Sequence, residues 1–169
     1  GSQADSHHFH HFDAAGNVLV AGKTDPDNDT TTLNNDYLLV AYGANGGFQW
    51  YTTWSATSAS DDVANAIALS DSGAIFVTGE SNTGSGTLYR FATVAYSNQH
   101  VQTSYATYGT AAGDSKGRGI VAQGTGVFVA GASTGSNSFY DAAVVRYDIL
   151  SGVVEANTET FTVYPNPFK

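Results

Sequence analysis

Apolar runs of four to seven residues, rich in Val, Ile, Phe, Tyr and Thr, alternate along the chain with clusters of Gly, Asn, Asp and Ser. Runs of that length between turn residues predict strands rather than helices. The runs also recur. Gly16-Asn-Val-Leu-Val-Ala-Gly22, Gly73-Ala-Ile-Phe-Val-Thr-Gly79 and Gly126-Val-Phe-Val-Ala-Gly131 each close on Gly, and the closing glycines are 57 and 52 residues apart. A second run follows each one and ends in Tyr, as Asp36–Tyr42, Arg90–Tyr96 and Asp141–Tyr147, with the tyrosines 54 and 51 residues apart. Twelve residues beyond Tyr42 and Tyr96 stand Trp54 and Tyr108, closing Gln49-Trp-Tyr-Thr-Thr-Trp54 and Thr103-Ser-Tyr-Ala-Thr-Tyr108. Ahead of the Gly-closed runs lie His8-Phe-His-His-Phe12, Ala66-Ile-Ala-Leu69 and Gly119-Ile-Val-Ala122.

A period that holds across independent landmarks marks a repeat architecture. Each unit carries four strands, and Ala15-Gly16-Asn17 and Asp71-Ser-Gly73 predict tight turns between the first two, where Gly or Asn supplies a positive φ. The second and third runs are apolar at nearly every position, so both of their faces should be buried. Four antiparallel strands every 50 to 57 residues is the pattern of propeller blades. The expected fold is all-β, with three four-stranded antiparallel blades. The expected units are 8–61, 62–113 and 114–154, the last with an atypical final strand. They are preceded by a segment 1–7 and followed by a linker and signal-like segment 155–169. Three blades do not easily close a ring, since closed propellers use about four to eight. A part of a longer propeller, a ring completed by an oligomer, and a stacked polymer are the three expected outcomes.

Composition narrows the function. Six Lys and Arg against fifteen Asp and Glu give a net charge of −9. That balance disfavours a nucleic-acid partner, whose affinity comes largely from cationic side chains displacing counterions, and equally an anionic membrane surface. No apolar run approaches the roughly 18 residues of a spanning helix. Cys is absent, which removes disulfides, thiolate metal sites and thiol chemistry. Met is absent too, and Gly1-Ser2 fits a cloning remnant, so a processed, truncated or engineered chain is expected.

Residues 62–81, Asp62-Val-Ala-Asn-Ala-Ile-Ala-Leu-Ser-Asp-Ser-Gly-Ala-Ile-Phe-Val-Thr-Gly-Glu-Ser81, resemble the bacterial β-propeller repeats known as SBBP repeats, and the resemblance extends over residues 8 to 152. Asp36 and Asp141 match the acidic residue that opens the family's third strand, and Trp50 its fourth-strand aromatic. Arg90 and Ser104 depart from it. At the C-terminus Phe161-Thr-Val-Tyr-Pro-Asn-Pro-Phe168 resembles the opening of the type IX secretion sorting domain of Bacteroidetes. That resemblance implies export to the medium or the cell surface.

Three sets of residues carry candidate chemistry. Asp25, Asp27, Asp29 and Asp36 have the 1, 3, 5, 12 spacing of a calcium loop, with hard oxygen ligands. Thr30 stands where such a loop has Gly, and Asp36 where it has Glu. Calcium is the one cofactor the sequence suggests. His7, His8, His10 and His11 form same-face pairs on a strand, suited to Zn²⁺ or Cu²⁺. Trp50, Tyr51 and Trp54 are candidates for stacking against a glycan, although recurrence of the pattern at Tyr105 and Tyr108 favours packing. No catalytic residues are expected. No Gly-x-Ser-x-Gly elbow is present, His100 has no acidic partner by sequence, and Asp61 and Asp62 point to opposite faces of a strand, unlike the paired carboxylates of a glycosidase. The sequence therefore points to a secreted, non-enzymatic extracellular or cell-surface scaffold, adhesive or structural and self-associating or continued by further blades. The alternative is a polysaccharide-binding accessory module of a larger secreted hydrolase.

Overall fold

A computed structural model of the chain describes residues 6–26, 34–82, 88–110, 113–135, 139–150 and 153–155. The described residues form strands and turns and no helix. The strands are β1 (Ser6–Phe12), β2 (Val18–Thr24), β3 (Asp36–Tyr42), β4 (Phe48–Trp54), β5 (Asp62–Leu69), β6 (Ile75–Ser81), β7 (Arg90–Tyr96), β8 (Gln102–Tyr108), β9 (Ser115–Gln123), β10 (Gly126–Thr134), β11 (Tyr140–Leu150) and β12 (Val153–Glu155). They make three antiparallel four-stranded sheets, each in simple up-and-down order: β1 to β4, β5 to β8 and β9 to β12. The signal-like segment beyond Glu155 lies outside the described residues.

Turn chemistry fixes the hairpins. In the β1–β2 turn Gly16 N donates to Asp13 O at 3.0 Å, and in the β5–β6 turn Gly73 N donates to Ser70 O at 2.9 Å. Gly16 and Gly73 have φ of 80° and 81°, the left-handed region open to Gly at little cost. The β3–β4 turn repeats this with Gly46, also at 80°, whereas the β7–β8 turn puts His100 there at 67°. Left-handed backbone costs a residue with a Cβ roughly 1–2 kcal/mol.

The sheets stack in chain order through their early strands. β5 packs against β1, β2 and β3, while β9 packs against β5, β6 and β7. Each junction is pinned by the same backbone bond: Asp62 N donates to Asn35 O at 2.7 Å, and Ser115 N to Tyr89 O at 2.8 Å. A strand buries alternate residues on opposite faces, and here the two faces have separate tasks. On the middle sheet Ile75, Val77, Ala92, Val94 and Tyr96 pack toward the first sheet, against Leu19, Ala21, Tyr37, Leu39 and Ala41. Its opposite face, with Phe76, Phe91 and Ala95, packs toward the third sheet, against Val127, Val129, Ala143, Val145 and Tyr147.

Burial on both faces, expected of the second and third strands everywhere, is found only in the middle sheet. β6 is buried at every position, and β2 and β3 bury alternate residues. The first sheet has a neighbour on one side alone, so Val18, Val20, Leu38 and Val40 stay half-exposed.

The closing glycines have a steric reason. A Cβ on Gly79 would stand 2.0 Å from Val63 O and 2.8 Å from the Tyr37 hydroxyl of the first sheet. One on Gly131 would stand 2.1 Å from Lys116 O and 2.8 Å from the Phe91 ring of the middle sheet. Tyr37 and Phe91 are equivalent in the repeat, so each seam seats an aromatic of one sheet on the glycine of the next. The Tyr37 hydroxyl also donates to Ala92 O at 3.0 Å. Asn65, at the β5 bulge, donates across the second seam to Gly117 O at 2.9 Å.

Candidate functional site

A concave surface lies on the face of the first sheet that points away from the middle sheet. It is a groove of about 800 Å3 whose lining includes Val20, Leu38, Val40, Tyr42, Phe48 and Tyr51. The register explains the lining. Val18 pairs with Tyr42, Val20 with Val40 and Gly22 with Leu38, so all of these share one face of the sheet. Phe48, at 59 % exposure, and Tyr51, at 65 %, extend the apolar surface on β4. Rings of Tyr42 and Phe48 stand 6.2 Å apart edge to face, and Phe48 and Tyr51 6.4 Å apart.

One end of this groove is acidic, with Asp25 and Asp36 in its lining. Burial raises the Asp36 carboxyl above the ordinary carboxylate value, the Ser55 hydroxyl opposes that rise, and the Asp62 carboxylate adds to it. Asp62 itself is fully buried. Its Oδ2 accepts from Ser60 Oγ at 2.6 Å, Ser55 Oγ at 3.1 Å and Ala56 N at 3.1 Å, and its Oδ1 has no hydrogen-bond partner. Of the four carboxylates proposed from sequence for calcium, Asp25 and Asp36 face the groove and Asp27 and Asp29 lie outside the described residues. Among the described residues no three His, Asp or Glu side chains gather as a metal would need.

The aromatic set divides. Trp54 is 5 % exposed and inside the first seam, its ring 5.0 Å from Tyr37 and 5.4 Å from Tyr105. Trp50 is half-buried and lies flat on the His100 ring, at 3.9 Å and 22°. Tyr51 is on the opposite face of β4, in the groove. Trp50, Tyr51 and Trp54 therefore do not make one platform. Strand alternation could have separated Tyr51 from the two tryptophans in the sequence, whereas Phe48 joins Tyr51 only through the β-bulge between Phe48 and Trp50, which alternation does not show.

A second hollow of about 560 Å3 opens among the turns, between the first and middle sheets. His11, Asp13, Asp71 and His100 are in its lining. Burial lowers the basicity of His100 and the Asp13 carboxylate partly restores it. His11 Nδ1 lies 2.8 Å from Phe12 O, and the His10 ring stands edge to face on Phe12 at 6.4 Å. His7 and His8 lie in β1, their side chains outside what is described.

Asp61 and Asp114 hold sheets together. Asp61 Oδ1 accepts from Asn35 Nδ2 at 2.6 Å and its Oδ2 from the Tyr89 hydroxyl at 2.7 Å. Asp114 Oδ1 accepts from Tyr89 N at 2.9 Å and its Oδ2 from the Tyr140 hydroxyl at 3.4 Å. A repeat of 53 residues between the two carboxylates, with Asn35, Tyr89 and Tyr140 at matching places, was the signal in the sequence for this network. No protein-family model matches the chain, and no curated protein matches it.

Proposed function

We propose that the three sheets are consecutive propeller-type blades of a secreted or cell-surface protein whose role is structural or adhesive rather than catalytic. The observation that carries this reading is the repetition of one seam. The same pair of faces, the same aromatic-on-glycine seat and the same pinning bond join the first sheet to the middle and the middle to the third. A chain that spends its side chains on a repeated seam is suited to extended display. Asp61 and Asp62, the carboxylates nearest to a hydrolase pattern, are both engaged as acceptors, Asp61 from Asn35 and Tyr89 and Asp62 from Ser55, Ala56 and Ser60. The low content of charged residues, 12 %, and the signal-like Phe161–Phe168 segment fit an exported surface protein. Fractionation of the source cells with an antibody to this chain tests it. Recovery in the medium or in a protease-accessible surface fraction is expected, and recovery only in the cytosol contradicts the proposal.

A second reading, a polysaccharide-binding module, is favoured by the groove, where Tyr42, Phe48 and Tyr51 stand beside Asp25 and Asp36. Rings supply stacking surfaces and carboxylates accept from hydroxyls. A polysaccharide pull-down separates the readings: retention lost on Tyr51→Ala supports the module, and no retention supports the scaffold.

A further inference from the structure

We propose that the open face of the first sheet and the open face of the third are two halves of one head-to-tail interface, occupied by a second copy of this chain. The argument is equivalence between surfaces that are covered and surfaces that are not. In the middle sheet the face turned to the first sheet is built from the cross-strand pairs Ile75 with Tyr96, Val77 with Val94 and Gly79 with Ala92. In the third sheet the face turned to the middle sheet has Val127 with Tyr147, Val129 with Val145 and Gly131 with Ala143. Every side chain of these pairs is buried by the preceding sheet: Tyr96 is 1 % exposed and Tyr147 2 %.

The first sheet carries the same three pairs, Val18 with Tyr42, Val20 with Val40 and Gly22 with Leu38. Nothing among the described residues covers them, and Tyr42 is 38 % exposed. This is the wall of the 800 Å3 groove.

The complementary surface is at the other end of the stack. The face that the first sheet turns to the middle one pairs Leu19 with Ala41 and Ala21 with Leu39. Its counterpart on the third sheet pairs Phe128 with Arg146 and Ala130 with Val144, and it too is uncovered, with Val144 at 51 % exposure. Ala142 stands where the internal seams have Tyr37 and Phe91, so no ring of the third sheet would seat on Gly22 of the next copy, and Arg146 is the departure from the apolar pattern. Its guanidinium lies over the Phe128 ring at 5.9 Å and pairs with Asp148 at 2.6 Å, so its stem can lie along apolar surface with the charge at the rim. An arginine there makes the intermolecular seam weaker than the internal ones, and the association reversible. Two different faces meeting head to tail give a closed ring or an open fibre, depending on the rotation per copy.

The inference rests on reading the sheets as equivalent blades, though not on secretion or adhesion, which the fractionation tests separately. Sedimentation velocity of the chain over a wide concentration range is the test, with Val40→Asp on the first sheet and Val144→Asp on the third. The wild-type mass should rise with concentration. Each variant alone should associate roughly tenfold more weakly or worse, because a carboxylate is being buried without a partner. An equimolar mixture of the two should form a dimer and stop, since one intact face of each kind remains. Val40→Thr and Val144→Thr serve as a milder pair if either Asp variant loses its melting transition. A wild-type chain that is monomeric at every concentration overturns the proposal, as does self-association of Val144→Asp alone as strong as that of the wild type. Protection of Tyr42 by a polysaccharide on a chain that stays monomeric also overturns it, in favour of a glycan as the occupant.

Discussion

The two internal seams have the same geometry and different chemistry. In the seam between the first and middle sheets, the centre of the covering face is Ala21 beside Leu39, and the rim is closed by rings, Trp50 on His100 and Trp54 on Tyr105. The seam between the middle and third sheets has Thr78 beside Thr93 at the same place, their hydroxyls 2.9 Å apart, and Thr78 also donates to Ala92 O. Near its edge Lys116 reaches Glu80 at 2.9 Å, and Asn65 bonds Gly117 O. At its centre one seam thus has apolar side chains, and the other a pair of hydrogen-bonded hydroxyls. Both keep the glycine under an aromatic. That comparison separates what the two internal seams share, close backbone approach and one seated ring, from what differs between them.

The largest effect should come from the shared feature. Gly79→Ala and Gly131→Ala each force a Cβ against a backbone carbonyl that cannot move without parting two strands, and each should cost on the order of 3 kcal/mol or more in chemical denaturation. Equal cost in both seams is expected. A tolerated alanine at one of them would break the equivalence.

Substitutions at the centre should split the seams. Leu39→Ala removes buried apolar volume from the first seam and should cost about 3 kcal/mol. Thr93→Val should cost only about 1 kcal/mol in the second, since Thr78 keeps its bond to Ala92 O. Equal losses would deny the chemical difference.

The buried tyrosines sharpen it further. Tyr37 donates across the first seam, and Tyr37→Phe should cost about 1 kcal/mol. The Tyr147 hydroxyl in the second seam is buried with no hydrogen bond; the Thr93 hydroxyl lies near it without meeting hydrogen-bond geometry. Tyr147→Phe should therefore gain up to about 1 kcal/mol by removing an unpartnered polar group. Burial pushes the Tyr147 hydroxyl up to about 12 and raises Tyr37 and Tyr96 well above their ordinary value. A raised folded value means that the native state holds the proton more tightly. The stability from these groups is complete below the unfolded tyrosine value of about 10 and is lost as pH rises toward and beyond 12. Thermal melts between those pH values should fall steeply, and less steeply in Tyr147→Phe.

The smallest effect concerns the rim. His100→Ala and His100→Gly both lose the stack on Trp50, but only Ala keeps a Cβ in the left-handed region. Gly should be more stable than Ala by roughly 1 kcal/mol in the same melts. Equal stabilities would mean that the turn relaxes without cost.

Much of the fold is legible along the chain because its signals are local. Alternation, run length and the turn glycines Gly16 and Gly73 depend on a residue and its near neighbours alone. The closing glycines were visible as landmarks, yet the reason for them was not, since Val63 O and Tyr37 reach Gly79 from another strand and another sheet. Burial of both faces in β2 and β3 failed for a similar cause: a strand's sequence does not say whether a neighbouring sheet is there. The candidate site was legible only in pieces. Trp50, Tyr51 and Trp54 read as a cluster when taken in order, while the pleat sends Tyr51 away from the two tryptophans and toward Tyr42, a partner on another strand.

The central claim is that each seam seats an aromatic of one sheet on the glycine of the next, and proton NMR of the folded chain tests it most directly. Nuclear Overhauser contacts should appear from the Tyr37 ring to the Gly79 Hα protons and from the Phe91 ring to those of Gly131, with ring-current shifts of both glycines. Contacts at one glycine and not the other, or at neither, would contradict a stack of equivalent sheets.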